Sequence, residues 1–260
     1  MGLINLCGCL FSCVPQCVNA HPLKICKFDQ IYQLGDSIFD TENLIREVPI
    51  GAATAFARLS YGETFFKNAT GRCSNGLLMI DYIAMAAGLP FLPPYKNLDA
   101  VDFEHGVNFA VAGSTALPPQ QLTDCAEKLQ NDLFMVGEIG GNDYNYATFQ
   151  GKTMEELRSM VPDVVATIVD AARKVIGVGG KRVVIPGNFP IGFERERACC
   201  GTGGKYNFNM TRMCGGAGVK VCSDPEGYMS WAGVHLTQQG YKIMAAWLVN
   251  NIFPHLLCHI

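Results

Sequence analysis

Three of the four short apolar segments in this chain run directly into glycine-containing polar loops, and helical stretches separate the segments. Ile31-Tyr32-Gln33-Leu34 leads into Gly35-Asp36-Ser37, Val107-Asn108-Phe109-Ala110-Val111 closes at Gly113, and Leu133-Phe134-Met135-Val136 leads into Gly140-Gly141-Asn142-Asp143. The fourth is Arg182-Val183-Val184-Ile185. Strands that alternate with helices predict an α/β three-layer sandwich with a mostly parallel sheet and helices on both faces. Ligands in such folds gather at the carboxyl ends of the strands. That edge is where the three polar loops converge, so chemistry is sought there.

The helices follow from periodicity and breakers. Asn75 to Ala87 carries Leu77, Leu78, Ile80, Tyr82, Ile83 and Met85 around Asp81 and reads as a mostly buried helix ending at Gly88. Gly88 to Pro94 is a breaker loop. Met154 to Ile176 is amphipathic, with Leu157, Val161, Val164, Val165, Ile168 and Val169 on its apolar side. Pro162 is expected to kink or restart it, and Gly177 to Gly180 to end it. Leu236 to Leu248 is a final helix. Gly187 to Ser230 contains no regular element by pattern, which is long for an ordinary loop. It holds Cys199, Cys200, Cys214 and Cys222 without the paired spacing of zinc sites, so structural disulfides are expected there. His255, Cys258 and His259 form only an adventitious metal cluster, and no metal site is expected.

Composition excludes several function classes. With 49% hydrophobic residues and a net charge of −3, the chain is not a disordered one. It has no basic tract, so no nucleic-acid partner is expected. No apolar run reaches the roughly 20 residues that span a bilayer, so no stable membrane insertion is expected. Twelve cysteines suggest an oxidising compartment. Leu3 to Val14 has the length and polarity of a signal-peptide apolar region, and Val18-Asn19-Ala20 supplies small residues for cleavage after Ala20, although no Lys or Arg precedes the run. The expectation is a secretory signal peptide over 1–20 and one domain over 21–260, delivered to the extracellular space or vacuole. Two sequons, Asn68-Ala69-Thr70 and Asn209-Met210-Thr211, make Asn68 and Asn209 glycosylation candidates.

Four residues at the loop edge combine into one chemistry. A Ser after a strand, such as Ser37, is ordinarily a helix cap. His235 before the last helix is ordinarily a packed or capping residue, Asn142 a turn residue, and Gly113 a bend. Together they supply a nucleophile (Ser37), a general base (His235) and an oxyanion hole made of the Ser37 and Gly113 amides with the Asn142 side chain. Asp36, Asp40 and Asp143 crowd the same loops, and turn closure is the expected role for them.

The segments LGDSIFDTEN, YGETFF, TGRCSNGLLMIDYIA, GVNFAVAGSTAL, LFMVGEIGGNDYN, ACCGTGGKYNFN and DPEGYMSWAGVHLTQQGY resemble, in order, the plant GDSL esterase/lipase family of the SGNH hydrolases. Their wording is similar to its acetylajmalan-esterase type. The resemblance implies secreted serine hydrolases that cleave carboxylic esters, often acetylated or acylated plant metabolites. It implies a small-molecule ester substrate, no cofactor and no identified protein partner. It maps Ser37 to the nucleophile, His235 to the base, and Gly113 and Asn142 to the oxyanion hole.

Two departures accompany it. The family's last block reads Asp-x-x-His, and here Ala232 occupies the acid position, with Asp224 as the nearest alternative carboxylate. The chain is also short for the family, between Leu117 and Leu133 and between Pro186 and the ACCG block. The expectation is therefore an SGNH-like sandwich lacking part of its sheet and helices. Its function is that of an impaired serine esterase or, alternatively, of a catalytically inactive homologue that binds a ligand or partner.

Overall fold

A computed structural model describes residues 23–47, 49–97, 102–116, 131–188, 197–256 and 258. The signal-peptide segment, His259, most of the Leu117–Leu133 stretch and most of the link from Gly187 to Arg197 lie outside the described residues.

Four parallel strands form the central sheet: β1 (Ile31–Leu34), β2 (Gly106–Asn108), β3 (Leu133–Val136) and β4 (Arg182–Val184), in the order β2-β1-β3-β4. Ile31 pairs with both Gly106 and Leu133, and Leu133 with Arg182. Residue alternation divides the sheet into two apolar faces. Ile31, Leu133 and Met135 pack with α1 (Met79–Ala87) and α4 (Gln238–Ile252) in the main core, through Ile80, Ile83, Leu248 and Val249. Tyr32, Phe134, Val136 and Val183 face Ala171, Ala172 and Val175 of α3 (Met154–Gly177). This is the expected three-layer arrangement. β1 and β2 approach so closely that a Cβ at Gly106 (φ 107°) would sit 2.0 Å from the Ile31 carbonyl oxygen, so only glycine fits there.

Several boundaries differ from those the pattern predicts, each for a local reason. The first long helix begins at Met79, not Asn75. Asp81 accepts the Leu78 amide at its start (2.8 Å), while buried Asn75 lies before the helix, donating to Thr64 and accepting the Gln238 amide at the start of α4. α4 starts at Gln238 because Thr237 caps it, its hydroxyl accepting the Gly240 amide. β2 ends at Asn108, whose side chain captures the Ala110 amide. α3 runs unbroken through Pro162, where a kink or restart is expected. Of its apolar stripe only Val164 lies buried, with Ala172, while Val161 and Val165 are exposed. Its C-terminal half alone covers the sheet, which among the described residues stops at β4.

The Cys-rich loop is cross-linked as expected. Cys199–Cys222 and Cys200–Cys214 are disulfides, and β5 (Cys200–Gly201) pairs antiparallel with β6 (Lys220–Val221) between them. Cys258, grouped by sequence with His255 and His259, instead pairs with Cys26 across 232 residues and joins the two ends of the core. Among the described residues no helix is long and apolar enough to cross a membrane, and no three His, Cys, Asp or Glu side chains cluster as a metal site would require.

Candidate active site

Ser37 sits three residues beyond the end of β1, half-buried. Its loop is shaped by carboxylates acting as acceptors. Asp36 accepts the Ile38 amide (3.1 Å). Asp40 is wholly buried and accepts four amides, from Glu42, Asn43, Leu44 and Ala112. The last of these ties the Ser37 loop to the loop after β2. Asn43 reinforces the tie by donating to the carbonyls of Asn108 and Ala110 (2.8 Å each), and Asn108 donates back to the Phe39 carbonyl (2.6 Å). A buried polar network that is this fully paired fixes one loop geometry. Turn closure is thus what Asp36 and Asp40 do.

His235 comes from the other end of the chain. Residues 230–236 form a small hairpin: Ser230 bridges to Leu236, and the amides of Trp231 and Ala232 both donate to the His235 carbonyl. The hairpin is pinned to the disulfide loop by Cys199 N–H to the Ser230 carbonyl (3.0 Å) and Cys200 N–H to the Trp231 carbonyl (2.8 Å). Tyr61, Trp231 and Ala232 are buried against Cys199, Cys200 and Cys214, and the Phe56 ring stands edge-on to the imidazole. So held, His235 Nε2 lies 2.8 Å from Ser37 Oγ, across 198 residues of sequence.

The other two predicted residues join them. Asn142 is in the first turn of α2 (Gly141–Phe149), a helix that its polar composition hides in the sequence. Its Nδ2 donates to Asp36 Oδ2 (3.2 Å) and to the Ser114 carbonyl (2.8 Å), bridging the residue before Ser37 to the residue after Gly113. Gly113 adopts φ 88°, a left-handed conformation that suits glycine. Among the described residues the amides of Ser37 and Gly113 donate to no protein acceptor. Two free N–H groups beside a serine hydroxyl are what an oxyanion needs. Pattern reading missed Tyr146, on α2, whose hydroxyl donates to the Gly113 carbonyl (3.3 Å). It also assigned no role to Arg72, whose guanidinium makes a two-point pair with buried Asp81 (2.9 Å each) and donates to the Thr41 carbonyl in the Ser37 loop. Arg72 lies in a segment quoted for the family resemblance, and Tyr146 directly follows one, which is the only signal that marks them.

The far side of His235 differs from its Ser37 side. Nδ1 is buried and has no hydrogen-bond partner among the described residues. Ala232, three residues away on the same hairpin, is 2% exposed and offers only a methyl. Asp224 is exposed, and its carboxylate instead lies beside Gly227. Burial alone lowers the His235 pKa from 6.5 to about 4. Asp36 moves the other way. Burial foremost, with the Asp143 charge adding to it, raises its pKa to about 6 against the lowering effect of the Ile38 amide.

These shifts have opposite consequences for stability. The unfolded His235 binds its proton below about 6.5 and the folded one only near 4, so folding weakens as pH falls through that window. The folded Asp36 binds its proton below about 6 and the unfolded one below 3.8, so its contribution strengthens as pH falls through its own window. Because the two oppose, the ring's own titration is the clean measurement. NMR of the His235 imidazole is expected to show a neutral ring from pH 7 down to near 4, and a midpoint at or above 6 contradicts the burial.

Residues 31–248 match the GDSL-like Lipase/Acylhydrolase family. Among curated proteins, acetylajmalan esterase of Rauvolfia serpentina is 34% identical over 366 aligned positions, covering 99% of this chain and 94% of the relative. A GDSL esterase/lipase of Arabidopsis thaliana is 32% identical, covering 86% of this chain and 82% of the relative. The first alignment spans 366 positions while the chain has 260 residues, so more than a hundred of those positions have no counterpart here.

Proposed function

Because the chain belongs to the GDSL-like lipase/acylhydrolase family, we propose that it is a serine ester hydrolase that works without a carboxylate behind its histidine. The substrates would be acetyl or acyl esters of plant metabolites. The observation that carries this reading is the 2.8 Å contact between His235 Nε2 and Ser37 Oγ. Ser37 Oγ attacks the ester carbonyl while Nε2 takes its proton. The carbonyl oxygen, now negative, is met by the amides of Ser37 and Gly113, and by Asn142 Nδ2 once it gives up its longer bond, the 3.2 Å one to Asp36. Collapse expels the alcohol, which takes the proton back from His235, and leaves an acyl group on Ser37. Water, deprotonated by the same nitrogen, then releases the acid.

The orphaned Nδ1 makes this machine slow. To act as a base, Nε2 must be bare, so the ring proton sits on Nδ1, a buried donor with no acceptor. An unmet donor of that kind costs about 1–3 kcal/mol. The imidazolium formed on proton transfer has no counter-charge, and a base that protonates only near pH 4 is a weak one for a serine hydroxyl at neutral pH. The same orphaned atom favours a second reading, a homologue that binds acylated ligands without turning them over.

Hydrolysis of p-nitrophenyl acetate separates the two. The native protein is expected to exceed Ser37→Ala by at least about tenfold, the loss of a nucleophile being among the largest single effects on such catalysis. Equal rates leave only the binding reading.

The wider setting belongs to the same proposal. Three disulfides fit an oxidising compartment, and both Asn68 and Asn209 are exposed, as glycan acceptors must be. We place the protein in the secretory pathway, glycosylated at one or both asparagines.

A further inference from the structure

A cavity of about 550 Å³ opens on the disulfide loop. Three cations line it, Arg197, Arg212 and Lys220, and among the described residues no acidic side chain does. Among the described residues none of the three enters an ion pair, and none of their charged groups donates a hydrogen bond to the protein. The chain as a whole carries a net charge of −3, so three positive charges at one concavity, without an ion pair among the described residues, are a local excess. Mutual repulsion disfavours such a cluster unless something negative shares it.

The frame that presents these charges is rigid. Lys220 lies in β6, directly opposite Gly201 of β5. Both disulfides of the loop flank that ladder, and the Cys222 amide donates to the Cys199 carbonyl. Arg212 is held by its backbone, its carbonyl accepting the Thr202 hydroxyl and its amide donating to the Asn209 carbonyl. Its guanidinium lies over Gly218, about 3.7 Å from where a Cβ would stand. Asn207, also in the wall, spends its amide group on the Ala198 carbonyl and the Gly203 amide. It therefore builds the wall and leaves ligand contact to the cations. Tyr228 supplies an aromatic surface at the same cavity. A cationic site on a pre-formed scaffold loses little entropy on binding.

We propose that this cavity binds a small multivalent oxyanion through Arg197, Arg212 and Lys220. Guanidinium forks match the paired oxygens of phosphate and carboxylate groups, and the lysine adds a point charge. Three positive charges match an anion of charge −2 or −3 better than chloride. The volume falls in the range of small-molecule sites, about 300–1,000 Å³, so the anion can be inorganic or part of a small organic molecule.

The test uses the full chain with two probes, inorganic phosphate and citrate, each titrated by calorimetry at constant ionic strength maintained with sodium chloride. Saturable binding of either probe by the native protein is expected. Tighter phosphate points to a phosphoryl ligand, and tighter citrate to a polycarboxylate. Arg212→Gln/Lys220→Gln is expected to weaken that binding at least tenfold while keeping the native thermal midpoint in chloride alone. Arg197→Gln is the second variant should the double one not fold, with the same weakening expected. The proposal is overturned if neither probe saturates, or if the variants bind as the native protein does. Hydrolysis at Ser37 is not read in this experiment, so its outcome is independent of the esterase reading.

Discussion

Replacing Ala232 by Asp is expected to raise esterase turnover by about 10²–10⁴-fold. Disabling the carboxylate of a serine-hydrolase triad costs about 10⁴ in kcat, because the imidazole then holds the wrong tautomer and its cation goes unstabilised. The site here has the geometry left by such a loss. His235 Nε2 is already 2.8 Å from Ser37, while Nδ1 is buried without a partner. A carboxylate at 232 would accept the Nδ1 proton, fix the productive tautomer, and lift the His235 pKa from about 4 toward neutrality. The lower end of the range allows for a buried position, packed beside Trp231 and Cys200, that must admit two oxygens. kcat should carry the gain, since the interaction matters most when the ring is charged. Ala232→Asn, similar in shape and uncharged, should gain little. An Ala232→Asp protein that melts like the native one yet hydrolyses no faster would show that the absent carboxylate is not what limits the site.

Arg72→Met is expected to destabilise the fold by about 3–5 kcal/mol, the range for breaking a buried ion pair from one side. Asp81 has no solvent-exposed side-chain surface, and Arg72 meets both of its oxygens at 2.9 Å. Methionine replaces most of the aliphatic volume but leaves a buried carboxylate with only the Leu78 amide. The loss is a large part of a typical net stability of about 5–15 kcal/mol. It should also loosen the Ser37 loop, because Arg72 donates to the Thr41 carbonyl at 3.1 Å. The double variant Arg72→Met/Asp81→Asn removes the stranded charge and keeps an acceptor for Leu78, so it should be more stable than Arg72→Met alone. Denaturant melts of the three proteins test this, and a loss under about 1 kcal/mol in the single variant contradicts it.

What the sequence discloses here is local, and what it conceals is mostly polar and long-range. β1 and β3 are legible because Ile31–Leu34 and Leu133–Val136 are short apolar runs bounded by polar loops. α2 is not, because Asn142, Asp143 and Asn145 read as a turn, and its contact with α3 joins segments that no local pattern links. The start of α4 turns on one hydroxyl, Thr237. The stripe of α3 is legible as amphipathic, yet its exposed Val161 and Val165 show that periodicity states what a helix can bury and not what is there to cover it. Ser37 and His235, 198 residues apart, are each unremarkable alone, and only the family blocks join them. The amide cage of Asp40 and the pair Arg72–Asp81 carry no pattern of their own, since nothing in a sequence says which buried charge meets which backbone. The Cys26–Cys258 link is concealed for the same reason.

The most direct test of a Ser37–His235 nucleophile is covalent. A fluorophosphonate forms a stable bond to an activated serine oxygen and expels fluoride, and the adduct is read by mass spectrometry of the intact protein and its peptides. The account predicts one adduct per chain, on Ser37, absent from Ser37→Ala and formed more slowly in His235→Ala. Failure of Ser37 to take up the reagent, or equal labelling of the Ser37→Ala protein, contradicts it.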